Sequence, residues 1–96
     1  MGKLENRFEI DGEVVLVGEV DYFTPKFSKR TVVVRVFKGR FLEPVPFDFI
    51  NRDMDQVDGI SVGDQVIVNF QVGGRENKNR AGQYFPSIQG IEINLA

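Results

Sequence analysis

The chain has 96 residues, enough for one domain, with 42% hydrophobic residues and a formal net charge of −2. It contains no Cys and no His. Disulfides, thiolate nucleophiles, cysteine zinc sites and the commonest general base are therefore excluded, and a non-enzymatic role is expected, with no cofactor and no metal.

Phe8 to Val20 reads as the first strand. Phe8, Ile10, Val14, Leu16 and Val20 form its core face, with Glu9, Asp11, Glu13 and Glu19 between them. Gly12 and Gly18 predict bending or a bulge, and Val15 and Val17 predict a second covered face, a hint of sheet-mediated contact between copies. Asp21 to Arg30 reads as a loop. Thr31 to Phe37 is the second strand, with Val32, Val34 and Val36 inward and Arg35 and Phe37 outward. Lys38-Gly39-Arg40 is a turn. Val45 to Ile50 is the third strand, with Phe47 and Phe49 in the core; Arg35 and Asp48 are expected outward on neighbouring strands, where Arg35 either pairs with Asp48 across the strands or meets a phosphate.

Asn51 to Gly59 reads as a short helical segment. Its Asp53-Met54-Asp55-Gln56-Val57-Asp58-Gly59 run fails as a calcium loop, because Asp58 stands where glycine is needed and Asp64 where a bidentate Glu is usual. Gln65 to Val72 is the fourth strand, alternating on Val66, Val68, Phe70 and Val72. Gly73 to Gln83 reads as a long loop. Its glycines do not make a phosphate loop, because no Gly-Lys-Ser/Thr ending follows. Tyr84 to Leu95 is the fifth strand, with a bulge expected at Gln89-Gly90.

Five strands with one short helical segment between strands 3 and 4 predict an all-β, five-stranded OB-fold Greek-key barrel filling residues 1–96. An SH3-like barrel has no reason to place a helical turn there. No apolar run is long enough for a membrane helix, and the N-terminus lacks a stretch of signal-peptide length, so a cytoplasmic location is expected.

The charge is unevenly spread. Residues 22–40 hold six bases (Lys26, Lys29, Arg30, Arg35, Lys38 and Arg40) and no acid, whereas residues 1–21 and 41–72 each hold six acids. Tyr22, Phe23, Phe27, Phe37 and Phe41 lie in or beside that basic stretch, and Arg75, Lys78, Arg80 and Tyr84 form a second one. Cations that track phosphates and rings that stack on unpaired bases are what a single-stranded nucleic acid needs. The alternative is a solvated loop whose Phe side chains plug the core. In an OB-fold the loops after strands one and four flank the binding face, and both basic segments fall there.

Tyr22-Phe23-Thr24-Pro25, then a basic segment and a valine strand, resembles the start of bacterial and phage single-stranded-DNA-binding OB-folds. Gly63-Asp64-Gln65-Val66-Ile67-Val68 resembles their entry to strand four, and Gly74-Arg75-Glu76-Asn77 with Gly82-Gln83-Tyr84-Phe85 their long last hairpin. The chain departs from the family in ending at Ile93-Asn94-Leu95-Ala96 without an acidic tail. It also has Ile50 near the place of a binding-face tryptophan, and so is most similar to the small tail-less members. The resemblance implies sequence-independent binding of single-stranded DNA in replication or recombination. DNA is expected as the partner in preference to RNA, and a homo-oligomer, a dimer foremost, is the assembly that Val15 and Val17 hint at. The competing expectation is a protein-interaction OB domain, a non-catalytic subunit of a replication or recombination complex.

Overall fold

The computed structural model describes residues 5–96; Lys3 and the rest of the first four residues of the N-terminal reading lie outside it. Five strands, β1 (Phe8–Thr24), β2 (Phe27–Lys38), β3 (Phe41–Ile50), β4 (Gln65–Glu76) and β5 (Tyr84–Leu95), close a barrel in the order β1-β2-β3-β5-β4. A 3-10 helix, Asn51–Gly59, separates β3 from β4. This is the OB-fold arrangement that the strand pattern predicts. All neighbours run antiparallel except β3 and β5, which close the barrel through one parallel pair, Asp48 and Gln89. Among the described residues no helix is long and apolar enough to cross a membrane.

β1 serves two neighbours. Its first half pairs with β4, from Phe8 opposite Phe70 to Glu13 opposite Gln65, and from Glu13 onward it pairs with β2. The bend between the halves brings β1 so close to β2 that a Cβ on Gly12 would collide with the Arg35 carbonyl oxygen. Only glycine fits such an approach.

Alternating valines build the core as the sequence predicts. Val14, Val32, Val34, Val36, Phe47, Phe49, Val66, Val68 and Ile93 are buried, and Val57 of the 3-10 helix joins them. The Gln56 amide fastens that helix to β5, donating to the Ile91 carbonyl at 2.9 Å and accepting from the Ile93 N–H at 3.0 Å. The expected bulge in β5 is present: Asn69 opposes Glu92, but Phe70 opposes Gly90. Gly90 is buried under the Phe49 ring, where a Cβ would overlap ring carbons.

The first difference from the sequence reading lies in β1, where Phe8 of the expected core face is 49% exposed. Register shifts in β1 at Val14/Leu16, Val17/Val20 and Tyr22/Thr24 reverse the side-chain parity. Leu16 therefore stands 52% exposed, while Val17 packs against the core instead of on an outer face. Second, residues 21–30 are not a loop: β1 and β2 run on as a two-stranded arm to Thr24 opposite Phe27, closed by Pro25 and Lys26. Third, the expected long loop is mostly ladder. β4 and β5 pair out to Glu76 opposite Tyr84, so Val72 lies on an arm beyond the core and is exposed. The remaining Asn77–Gln83 tip is knitted by its own hydrogen bonds: the Asn77 amide donates to Gln83 Oε1 at 2.7 Å, and the Gly82 N–H donates to Glu76 Oε2 at 3.0 Å.

Candidate nucleic-acid interface

The two arms lean over the outer face of β2 and β3 and enclose a groove of roughly 490 Å³. Phe23 and Phe27 line it from the first arm, and Arg75, Phe85, Pro86 and Ser87 from the second. Lys29, Asp48 and Ile50 form its floor. The placement follows from strand parity. Lys29 and Asp48 lie on the outward faces of β2 and β3, whose alternate residues Arg30, Val32, Phe47 and Phe49 turn inward or toward the barrel end.

The rings are held in place. Phe23 and Phe27 pack at 5.3 Å between centroids, and Lys29 Nζ sits 5.4 Å from the centre of the Phe23 ring. Across the groove the Arg75 guanidinium lies 5.6 Å from the Phe85 ring centre. Each pair sets a cation beside an exposed aromatic surface, a cation–π arrangement that orders both groups. Asp48 accepts a hydrogen bond from the Thr31 hydroxyl at 2.7 Å and lies 3.9 Å from Lys29 Nζ.

The predicted site residues divide into separate groups. Phe23, Phe27, Lys29 and Arg75 meet in the groove. Lys26 lies at the tip of the first arm, and Lys78 and Arg80 in the turn of the second, all exposed. Tyr22 is 80% exposed on the first arm but does not line the groove. Arg30 is turned the other way. Its Nε donates to the Gly18 carbonyl at 2.7 Å and its Nη1 to Asp58 at 2.9 Å, so it ties β2 to β1 and to the 3-10 helix.

Arg35 and Phe37 lie at the far end of β2, in a separate depression with Asp11, Gly12, Glu13, Leu42 and Gln65. Ten residue steps along the strand separate Phe27 from Phe37, a span of roughly 33 Å. Arg35 opposes Pro44 and pairs with Glu13 at 2.7 Å; the expected pair with Asp48 does not form. The tight Gly39-Arg40 turn fixes that register and puts Asp48 opposite Thr31. Lys38 lies 3.8 Å from Glu43, and Arg40 stacks over Phe41 at 5.7 Å, both beside that turn.

Phe85, not Tyr84, is the aromatic of β5 that lines the groove. Phe85 opposes Arg75, whereas Tyr84 opposes Glu76 and does not line the groove. Continuing the strand pairing through Gly73 and Gly74 would have revealed this parity. Ile50, which stands near the place of the tryptophan in the resembled family, lines the floor.

The mitochondrial single-stranded DNA binding protein Rim1 from S. cerevisiae superposes with a TM-score of 0.71 at 12% identity, over 93% of this chain and 92% of that one. The dimeric N-terminal domain of PriB from Thermoanaerobacter tencongensis superposes with a TM-score of 0.68 at 16% identity, over 95% and 96%. At these identities the likeness establishes the shared fold. No curated protein matches the chain by sequence. A family model described as "Domain of unknown function (DUF3127)" matches residues 9–94, nearly the whole barrel, and the chain belongs to that family.

Proposed function

We propose that the protein binds single-stranded DNA, with low sequence preference and without catalysis, in the groove between its two arms. The observation that carries this reading is the convergence of Phe23, Phe27, Lys29, Arg75 and Phe85 from both arms and the strand between them. Rings on both walls offer stacking surfaces to unpaired bases, and cations beside them offer partners to the phosphates between those bases. The shared fold with Rim1, described as a single-stranded DNA binding protein, supports the same reading. Lys26, Lys78 and Arg80 at the arm tips extend the positive rim. Protection of single strands during replication or recombination is the role such a groove would serve.

Phe37 takes a second part in this proposal. It is 74% exposed opposite Leu42, itself 49% exposed, and the cation that lines its depression, Arg35, is already paired with Glu13. An apolar pair next to acids suits a protein surface better than a phosphate chain. A second copy of the chain is its proposed partner, giving a homodimer whose two grooves remain free.

Titration of a fluorescent single-stranded oligonucleotide tests the groove. Combined Phe23→Ala, Phe27→Ala and Phe85→Ala substitution should weaken binding by about 10-fold or more while thermal melting shows a folded barrel. Undiminished binding by this folded variant would overturn the assignment.

A further inference from the structure

Asp48 is the one carboxylate among the residues that line the groove. It is fixed there: Oδ1 accepts the Thr31 hydroxyl at 2.7 Å, and Oδ2 faces Lys29 Nζ at 3.9 Å. Its side chain is 28% exposed, so the carboxylate is partly desolvated yet open to the groove. Lys29 on the same floor offsets this charge, so the floor is close to neutral, whereas Arg75 carries a positive charge on the groove wall. Phosphates gain most beside Arg75 and the arm-tip cations, and Asp48 offers its free acceptor positions to base edges.

A carboxylate accepts hydrogen bonds and donates none, and one Thr31 bond leaves most of its acceptor positions free. Unpaired bases expose their Watson–Crick edges. Guanine presents two adjacent donors there, N1–H and the N2 amino group, spaced to meet the two oxygens of one carboxylate. Thymine presents a single N–H flanked by two carbonyl oxygens, which the carboxylate repels. We infer that Asp48 reads the base edge and biases the groove toward guanine over thymine. The inference rests on the single-strand reading above and adds a preference to it.

The experiment compares labelled single strands of equal length at one salt concentration: all thymine, thymine with every third base replaced by guanine, and the same strand with inosine for guanine. Inosine keeps N1–H and lacks the N2 amino group. The guanine strand should bind at least about fivefold more tightly than the thymine strand, with the inosine strand between them. Asp48→Asn keeps an acceptor for Thr31 and should melt like the parent. The ratio of its affinities for the guanine and thymine strands should fall to about one. Equal binding of all three strands by the parent, or a guanine preference that survives Asp48→Asn, would overturn the inference and leave the groove assignment intact. Failure of every strand to bind would overturn both.

Discussion

Arg75 and Phe85 stand directly opposite each other on β4 and β5, with the guanidinium 5.6 Å from the ring centre. The pair lies beyond the core, on an arm whose apolar side chains are exposed. It contributes little to the barrel, and its arrangement is instead that of a cation and a stacking surface presented together to the groove.

Phe85→Ala should therefore weaken single-strand binding by about 1–3 kcal/mol with little effect on melting. Tyr84→Ala, one residue away and outside the groove lining, should cost much less. Oligonucleotide titrations of the two variants check this, and a larger loss from Tyr84→Ala would reverse the assignment of faces.

Arg75, Lys78 and Arg80 changed together to Ala should lower the slope of log affinity against log salt by at most about two to three, about one counterion release lost for each phosphate no longer contacted. An unchanged slope would show that the second arm does not touch the strand.

Phe37→Ala should leave melting and single-strand affinity close to the parent, because an exposed ring supports little core and this one lies outside the groove. Sedimentation or light scattering should show a shift from dimer toward monomer. Weakened strand binding by about 1–3 kcal/mol with unchanged assembly would move Phe37 into the binding path instead.

Gly90→Ala tests the fold. The added methyl would overlap the Phe49 ring inside the barrel, so β5 or Phe49 must shift. Overpacking of this kind costs about 1–3 kcal/mol or more, read as a lowered melting temperature. A variant as stable as the parent would mean that the contact yields easily.

The barrel was legible because valines at alternate positions and paired phenylalanines mark inward faces without reference to anything distant. The 3-10 helix was legible from its polar composition between two strands. The exchanged sides of Leu16 and Val17 are not legible in the sequence, because a bulge changes parity without changing composition. Thr24-Pro25 and Gly73-Gly74 read as loops because Pro and Gly interrupt periodicity. Here Pro25 fills a two-residue turn and the glycines pair within an arm. The basic, aromatic stretch of residues 22–40 is continuous in sequence but divided in space. An extended strand carries Phe27 and Phe37 to opposite ends of a face, and alternation sends Arg30 away from Lys29. Phe85 was hidden because its partnership with Arg75 is a matter of register across a hairpin.

The most direct test is one titration of labelled single-stranded and duplex oligonucleotides of the same sequence at two salt concentrations. Rings beside cations in a groove predict tighter binding of the single strand, falling at higher salt, because paired bases cannot reach the rings. Equal affinity for single strand and duplex, or no binding to either at low salt, would contradict the account.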